Sequence, residues 1–250
     1  MPSSSKVAVV TGGGGAFGSA IATRLAADGF QVAVTDANLD RAREAAALIP
    51  GAFACQLDVT DGSSVREAIA EISTRTGRID AVVNNAGIAP PGGMTTTTLE
   101  DFDRTMSINL RGAYLVTSAA MEWLVRSGAE GRVVMIGSRT WLSGGNPAYT
   151  ASKAGIVGLC RTVAQEIAAS GGTCNVVAPG PVNTGFVDAM GMGETRESNF
   201  ERYAAHTPMR RVATPADVAA ATAFFAGPDA SFITGEVLHV AGGLQLAPRL

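Results

Sequence analysis

Short apolar runs alternate with amphipathic segments along nearly the whole chain. Most of the runs end at a glycine, asparagine, aspartate or proline, which is typical of short buried strands followed by loops. They predict seven strands: Val7–Thr11, Gln31–Thr35, Ala52–Leu57, Ile79–Val83, Arg132–Ile136, Cys174–Ala178 and Val237–Val240. The intervening segments have helical periodicity and predict helices after the turn at residues 12–18 and at Leu39–Ile49, Ser63–Thr76, Leu99 to about Val125, Pro147–Ala169 and Pro215–Ala226.

This alternation of strands and helices decides the fold class. Strands separated by helices are typically parallel and joined by right-handed crossovers, with helices on both faces of the sheet. No linker or shift in composition divides the chain. We therefore predict a single α/β domain over residues 1–250, with a doubly wound, seven-stranded parallel sheet. Residues 185–212 contain no clear strand and are rich in Gly, Met and charge, which predicts a mobile helical lid.

Composition and charge exclude several classes of protein. The 250 residues carry a formal net charge of −3, so no basic surface favours nucleic acid or an anionic membrane. No apolar stretch is long enough to span a bilayer and no signal segment precedes the first strand, so we expect a cytoplasmic protein. Cys55, Cys160 and Cys174 are widely spaced and are expected to be buried, reduced thiols. With only two histidines, the sequence offers no His-based metal cluster.

A glycine-rich turn, Gly12–Gly18, lies between the first strand and the first helix. Glycines let the backbone approach a pyrophosphate, and the helix N-terminus supplies free N–H groups and a positive dipole end. Asp36 ends the second strand, where a carboxylate can accept hydrogen bonds from both ribose hydroxyls of an NAD adenosine. The arrangement predicts a dinucleotide site.

Tyr149 and Lys153 lie four positions apart in a predicted helix and share one of its faces. The pKa of an unperturbed tyrosine is about 10, and a nearby ammonium favours the phenolate and lowers that pKa. The pair can therefore give a proton to, or take one from, an alcohol or carbonyl oxygen. By itself this spacing more often marks a packed surface pair, so the interpretation depends on the other motifs.

Polar motifs follow six of the predicted strands. They are Gly12–Gly18, Asp36, Asp58, Asn85–Gly87, Ser138 and the segment 179–184. The carboxyl ends of parallel strands form one edge of the sheet, and ligands bind there in open α/β sheets. The motifs are therefore expected to converge on one site.

The chain resembles the short-chain dehydrogenase/reductase family over nearly its full length. The matching motifs are Thr11-Gly12 to Gly18, Asp58-Val59, Asn84-Asn85-Ala86-Gly87, Ser107-Ile108-Asn109, Ser138, Tyr149-x-x-x-Lys153, Pro179-Gly180 and residues 229–235. The resemblance implies a single Rossmann-like domain, hydride transfer to or from a nicotinamide, and assembly as a homotetramer.

The resemblance also implies roles for individual residues. Tyr149 would be the general acid/base, Lys153 would lower its pKa and hold the nicotinamide ribose, and Ser138 would hydrogen-bond the substrate oxygen. Asn109 would position a water that links Lys153 to solvent. The implied cofactor-binding residues, besides Tyr149 and Lys153, are Gly12, Gly15, Phe17, Gly18, Asp36, Asp58, Val59, Asn85, Ala86, Gly87, Pro179, Gly180, Val182 and Thr184.

Three features depart from the family pattern. Ala16 stands where the glycine turn usually has Gly, so its methyl group could crowd the pyrophosphate, although Gly13-x-Gly15-x-x-Gly18 gives another frame for the turn. Ser138 and Tyr149 are closer in sequence than is common, so the loop between Arg139 and Pro147 is expected to be short. Ala241 replaces an acid before the final Gly-Gly, and we derive no function from it.

Asp36 also decides the expected cofactor. Its charge would oppose a 2′-phosphate, and the next residue is Ala37 rather than Arg, so we predict NAD over NADP. The nearby Arg41 and Arg43 could weaken this preference.

The sequence specifies the substrate less closely than the cofactor. Apolar residues that could wall its pocket are Trp141, Leu142, Phe186, Met190 and Met192. Arg139 could meet an anionic group or simply face solvent. We predict an NAD-dependent dehydrogenase of a hydrophobic secondary alcohol, cyclic or aromatic, or reductase of its ketone. The alternatives are a 3-hydroxyacyl or 3-oxoacyl thioester as substrate and, in another class, a non-catalytic nucleotide sensor.

The helix that carries Tyr149 is expected to serve a second purpose. Ala151, Ala154, Gly155 and Gly158 form a strip of small residues, and the other faces of the helix are apolar. A helix that is apolar nearly all round is buried nearly all round. We therefore expect the sheet to cover one side and the helix of a partner subunit to cover another.

Overall fold

The computed structural model describes residues 5–184 and 196–246. Their centre is a parallel sheet of seven strands in the order β3-β2-β1-β4-β5-β6-β7. The strands are β1 Val7–Thr11, β2 Gln31–Asp36, β3 Phe53–Gln56, β4 Ala81–Asn84, β5 Arg132–Ile136, β6 Thr173–Pro179 and β7 Val237–Val240. The chain builds outwards from β1 to β3 and then returns to place β4 beside β1. This switch in strand order opens a crevice at the carboxyl edge of the sheet.

The helices cover both faces of the sheet. They are α1 Ala16–Ala27, α2 Leu39–Ala47, α3 Gly62–Thr76, α4 Leu99–Met106, α5 Gly112–Arg126, α6 Thr140–Ser143, α7 Pro147–Ala168, α8 Arg196–His206 and α9 Pro215–Ala226. One core joins the sheet to α1, α2 and α9, and a second core on the opposite face joins it to α3, α5 and α7. The strands therefore lie between two apolar layers, and β1, β4, β5 and β6 are buried along their whole length. The predicted doubly wound fold is confirmed.

Two segments differ from the prediction, and a third is described only in part. The helix expected from Leu99 to about Val125 is divided by a π-helical turn, Ser107–Arg111, which separates α4 from α5. The loop expected between Arg139 and Pro147 contains the single helical turn α6. The predicted lid, 185–212, contains α8, and its residues 185–195 lie outside the described part of the chain.

Three further features follow from the described residues. Within 5–184 and 196–246, none of the helices combines the length and apolar character needed to cross a membrane. In the same two ranges, no group of three or more His, Cys, Asp or Glu side chains is placed to hold a metal ion. Cys55, Cys160 and Cys174 are free and buried, as predicted.

Candidate active site

A cleft of about 1040 Å³ lies at the carboxyl edge of the sheet. It is lined by residues that follow β1 to β6, and it contains all the residues predicted to bind a cofactor, from Gly12 in the first turn to Thr184 after β6. Ser138, Tyr149, Lys153 and Arg139 also line it. The predicted convergence of motifs on one site is therefore present in the structure.

The glycine turn has the shape that a close approach of backbone and phosphate requires. Gly12 has φ of +61°, and a Cβ on Gly18 would lie 2.2 Å from the Gly12 carbonyl oxygen. The N-terminus of α1, where Gly15 is the N-cap, has no side-chain cap, so its N–H groups remain available at the cleft. Ala16 is exposed at the first position of this helix and lines the cleft. The residues present therefore fit a dinucleotide.

Asp36 and Arg41 flank the same turn. The Asp36 Oδ2 accepts a hydrogen bond from the Gly14 N–H at 3.2 Å, and its Oδ1 accepts one from the Asn38 N–H at 3.1 Å. The Arg41 Nη2 donates to the Gly14 carbonyl oxygen at 3.3 Å. A carboxylate and a guanidinium are thus both available to the adenosine end of a dinucleotide. From the sequence, Arg41 was expected only to weaken the preference for NAD that Asp36 gives.

The ends of β1 and β4 are joined by side chains. The Asn85 Nδ2 donates to the carbonyl oxygens of Thr11 at 2.8 Å and Gly12 at 3.1 Å. The Thr11 Oγ1 accepts hydrogen bonds from the N–H groups of Asn85 at 3.0 Å and Ala86 at 3.1 Å. These contacts fix the two loops that face each other across the switch in strand order. Asn85 therefore contributes to the cleft by holding together the two loops that form it.

Asp58 is fixed at the end of the cleft formed by the loop after β3. Its Oδ1 accepts hydrogen bonds from the N–H of Thr60 at 2.8 Å and from the Thr60 hydroxyl at 2.7 Å. Its own N–H donates to the Ser64 hydroxyl at 3.0 Å. The carboxylate is thus oriented before any ligand binds, and Val59 lines the cleft beside it.

Helix α7 brings Tyr149 and Lys153 into the cleft. The helix starts at Pro147, and the Asn146 side chain caps it by accepting a hydrogen bond from the Tyr149 N–H at 3.0 Å. Tyr149 and Lys153 then lie on the buried face, with 8% and 4% of their surface exposed. The Lys153 ammonium lies 5.6 Å from the centre of the Tyr149 ring and donates to the Ile136 carbonyl oxygen at 2.8 Å. The Tyr149 hydroxyl is hydrogen-bonded to the Ser138 side chain.

Burial shifts the pKa values of both groups. It raises the pKa of Tyr149 to about 12, an effect that the hydrogen bond with Ser138 only partly offsets. It lowers the pKa of Lys153 to about 8. In each case loss of water disfavours the charged form. Burial is thus the larger influence on the pKa of Tyr149, and the effect of Lys153 on that pKa stays a prediction. Tyr149 is a neutral phenol at physiological pH and can donate a proton.

Asn109 supports the site from behind the cleft. It lies in the π-helical turn and is 2% exposed. Its Oδ1 accepts from the Ile88 N–H at 2.8 Å, and its Nδ2 donates to the Ile88 carbonyl oxygen at 2.9 Å and to the Ser152 hydroxyl at 3.1 Å. The Ser152 hydroxyl donates to the Tyr149 carbonyl oxygen at 2.8 Å. Asn109 thus ties the turn to α7, a placement often found for π-bulges at functional sites.

The residues predicted to contact substrate divide into three groups. Arg139 lines the cleft. Trp141 lies elsewhere, because its Nε1 donates to the His239 Nε2 at 3.2 Å and its ring stacks on that imidazole. Leu142 is also outside the cleft lining and is 54% exposed. Phe186, Met190 and Met192 lie outside the described residues.

Other described residues complete the lining of the cleft. Val182, which pairs with Ala213, and Thr184 are buried at the end of the segment that follows β6. Arg104, Arg111 and Tyr203 also line the cleft and were not predicted from the sequence. Arg104 and Arg111 lie close in sequence to the Ser107-Ile108-Asn109 motif, which could have indicated them, whereas none of the motifs is near Tyr203.

The chain is similar to known proteins over most of its length. The family model described as enoyl-(acyl carrier protein) reductase matches residues 14–245. The chain is 36% identical to the 3-oxoacyl-[acyl-carrier-protein] reductase MabA of Mycobacterium tuberculosis, over 98% of this chain and 95% of that protein. It is 36% identical to the (3R)-3-hydroxyacyl-CoA dehydrogenase of Mus musculus, over 96% of both chains. It is 33% identical to the (2S)-[(R)-hydroxy(phenyl)methyl]succinyl-CoA dehydrogenase subunit BbsD of Thauera aromatica, over 96% of this chain and 97% of that protein.

Proposed function

Since the chain belongs to the short-chain dehydrogenase/reductase family, whose members are nicotinamide-dependent oxidoreductases of CH–OH and keto groups, we propose that it acts on 3-hydroxyacyl or 3-oxoacyl thioesters with NAD. The observation that carries the proposal is the hydrogen bond between Ser138 and Tyr149, next to Lys153, in a cleft that also contains a phosphate-binding turn. Relatives named for oxo and hydroxy groups of acyl thioesters support this choice of substrate.

The chemistry of the proposed site follows from its side chains. A bound nicotinamide supplies or accepts the hydride. Reduction places negative charge on the substrate oxygen, and donors held in a water-poor site stabilise that charge. Ser138 and Tyr149 are the donors, and the neutral Tyr149 phenol gives its proton to the oxygen. Donation of that proton leaves a phenolate, which the nearby Lys153 ammonium favours. In the dehydrogenase direction the Tyr149 phenolate takes the proton from the alcohol and becomes the neutral phenol.

Asp36 supports NAD as the cofactor. Its carboxylate is held beside the turn by the Gly14 and Asn38 N–H groups, so its charge faces the adenosine end of the cleft. Ribose hydroxyls can donate to it, whereas a 2′-phosphate would be repelled. Arg41 lies on the other side of the same turn and opposes this preference.

A reductase assay with NADH tests the proposal. The substrates are acetoacetyl-CoA, crotonyl-CoA and two ketones without a thioester, cyclohexanone and acetophenone. We expect acetoacetyl-CoA to have the highest kcat/KM, and crotonyl-CoA, which offers a double bond in place of the keto group, not to be reduced. Faster reduction of either simple ketone would replace the thioester by the hydrophobic secondary alcohol predicted from the sequence. NADH binding without turnover of any substrate would favour a nucleotide sensor.

We also propose that the protein assembles as a homo-oligomer through α7, as the family's tetramers suggest. Ala151, Ala154 and Gly158 are exposed on the side of α7 that faces away from the sheet. A Cβ on Gly158 would meet nothing within 4 Å, so an approaching helix could come close. Sedimentation of wild type and Gly158→Arg is the test, with Ala168→Arg, at an exposed position near the end of the same helix, as the control. A wild-type monomer at micromolar concentration would overturn this proposal.

A further inference from the structure

We infer that Arg139 is an anion-binding residue for the substrate, so that the preferred thioester carries a carboxylate on its acyl chain near the reacting carbonyl. The inference rests on the proposed function, because it specifies the substrate of the same site. It starts from the position of Arg139, which directly follows Ser138 and lines the cleft with it. Its backbone N–H donates to the Pro179 carbonyl oxygen at 2.9 Å. The base of the side chain is therefore fixed at the ends of β5 and β6.

The Arg139 guanidinium has no acidic partner among the described residues. Its Nη1 donates to the Ser143 hydroxyl at 2.8 Å, which leaves most of its five N–H groups for other acceptors. Other arginines, such as Arg24, Arg78 and Arg211, pair with carboxylates. A half-buried guanidinium without a countercharge at the edge of a cleft is suited to bind a carboxylate bidentately.

The distribution of charge in the cleft also supports the binding of an anion near Arg139. In the described part of the chain, its lining contains two carboxylates, Asp36 and Asp58, and both follow strands on the other side of β1. Strand β5 is three strands from β2, a separation of about 14 Å at the usual strand spacing. At physiological ionic strength this exceeds the screening length of about 8 Å. Arg139 and Lys153 therefore make the substrate half of the cleft cationic, and an anionic substrate is favoured there.

The remaining cleft arginines lie elsewhere. Arg41 contacts the glycine turn. Arg111 donates to the Thr60 carbonyl oxygen at 2.6 Å, at the end formed by the loop after β3. Arg104 is one turn before Ser107 on the helical segment that continues to Arg111. Arg139 is thus the cleft arginine that directly follows Ser138, the proposed donor to the reacting oxygen. The reaction itself is unchanged, because the carbonyl carbon takes the hydride and its oxygen takes the Tyr149 proton, while Arg139 gains and loses no proton.

A matched pair of thioesters tests the inference. One is acetoacetyl-CoA with a carboxymethyl branch on carbon 2, and the other has a carboxamide in place of that carboxylate. With wild type and NADH, we expect kcat/KM to be about 10- to 100-fold higher for the carboxylate, the range that a charge-assisted hydrogen bond gives. Arg139→Gln is expected to abolish the difference, and Arg139→Lys to keep part of it. The control variant is Arg66→Gln, because Arg66 also donates to a serine hydroxyl, that of Ser63 at 3.2 Å, but lies outside the cleft lining. It is expected to leave the ratio unchanged.

The outcomes separate this inference from the proposed function. Reduction of unbranched acetoacetyl-CoA with no preference for the carboxylate over the carboxamide overturns the role of Arg139 and leaves the thioester proposal standing. The same conclusion follows if Arg139→Gln keeps the wild-type preference. If no thioester is reduced, both are overturned. The wild-type ratio needs no variant, so the test does not depend on whether Arg139→Gln folds.

Discussion

The side chains of Ser138 and Tyr149 are hydrogen-bonded although only eleven positions separate them. The short segment between Ser138 and Tyr149 can bring their side chains together because it folds compactly. Helix α6 takes up its first part in a single turn, and Gly144 then reverses the chain with φ of +75°. The Asn146 side chain caps α7 and donates from its Nδ2 to the Pro91 carbonyl oxygen at 3.1 Å. The sequence indicated the shortened loop, and the structure shows that it still brings both hydroxyls to one place.

The first prediction concerns this pair. Tyr149→Phe removes the proton donor and should lower kcat by about 10²- to 10⁴-fold, the usual contribution of general acid–base catalysis. Ser138→Ala should lower kcat by about 10²-fold, because one donor to the developing charge is lost. Tyr114→Phe is the matched control, since Tyr114 is 54% exposed and lies outside the cleft lining. Steady-state kinetics with the best substrate give the comparison, and equal turnover by wild type and Tyr149→Phe would contradict the mechanism.

The second prediction concerns the glycine turn. A methyl group on Gly18 would lie 2.2 Å from the Gly12 carbonyl oxygen, which is backbone and can move only if the turn opens. Gly18→Ala should therefore lower the free energy of unfolding by about 1–3 kcal/mol, as overpacking does, and weaken NADH binding at least about tenfold. Ala16→Gly is the control, because Ala16 is exposed at the start of α1. It should change the free energy of unfolding by about 1 kcal/mol or less.

Urea unfolding and a fluorescence titration with NADH measure the two effects of these variants. If Ala16→Gly strengthens NADH binding strongly, the methyl group of Ala16 crowds the pyrophosphate after all. If Gly18→Ala binds NADH as wild type does, the phosphates do not use this turn.

The fold was predictable because its signals are local and repeated. The apolar runs at Arg132–Ile136 and Val237–Val240 coincide with β5 and β7, and Pro215–Ala226 coincides with α9, where Thr214 forms a capping box with Asp217. The π-helical turn at Ser107–Arg111 has no such signal. One inserted residue shifts the helical register without changing the apolar pattern of the segment, so the interruption was not predicted.

The positions of the site residues were predictable from the sequence, whereas the directions of their side chains and their pKa values were less so. Motifs at the ends of strands place Asp36, Asp58 and Ser138 at one edge of the sheet, whatever the conformations of the loops. The direction of Trp141 depends on how α6 packs against β7, which no local pattern encodes. The pKa of Tyr149 depends on burial by distant parts of the chain, so the spacing to Lys153 could not predict its direction.

The third prediction concerns the buried Lys153. Its pKa is about 8 in the folded protein and 10.5 ordinarily, so below pH 8 the folded state holds a charge that it disfavours by about 3 kcal/mol. Between pH 8 and 10.5 the unfolded chain binds the proton and the folded chain does not, so this penalty shrinks as pH rises. Lys153→Met removes the penalty but loses the hydrogen bond to Ile136, which is worth about 1 kcal/mol. At pH 7 the variant should be more stable than wild type by about 2 kcal/mol.

Urea unfolding at pH 7 and pH 10 tests the direction of this difference in stability between Lys153→Met and wild type. The advantage of Lys153→Met should disappear by pH 10, still below the pKa of about 12 that burial gives Tyr149. Lys6→Met is the matched control, because Lys6 pairs with Glu130 at the surface and such pairs contribute about 0–1 kcal/mol. Its effect should not vary in the same direction between the two pH values. A Lys153→Met variant that is less stable than wild type at pH 7 would contradict the burial argument.

The fourth prediction concerns cofactor choice. Wild type should have a higher kcat/KM with NAD than with NADP, because the Asp36 carboxylate accepts from ribose hydroxyls and repels a 2′-phosphate. Asp36→Ser removes the repulsion and leaves Arg41, whose Nη2 lies 3.3 Å from the Gly14 carbonyl oxygen, free to meet the phosphate. The NADP/NAD ratio should therefore rise by about 10- to 100-fold, as expected when a charge-assisted hydrogen bond replaces a repulsion.

The double variant separates the two contributions to cofactor choice. If Arg41 binds the 2′-phosphate, Asp36→Ser/Arg41→Gln should lose most of the gain in NADP use while keeping the weakened use of NAD. Arg43→Gln is the control, since Arg43 pairs with Asp40 at 3.1 Å on the exposed side of α2 and is absent from the cleft lining. Because both arginines carry the same charge, a general effect of charge near the turn would appear in both variants, whereas a direct contact appears only with Arg41. A wild type that prefers NADP would show that Arg41, and not Asp36, governs the adenosine end.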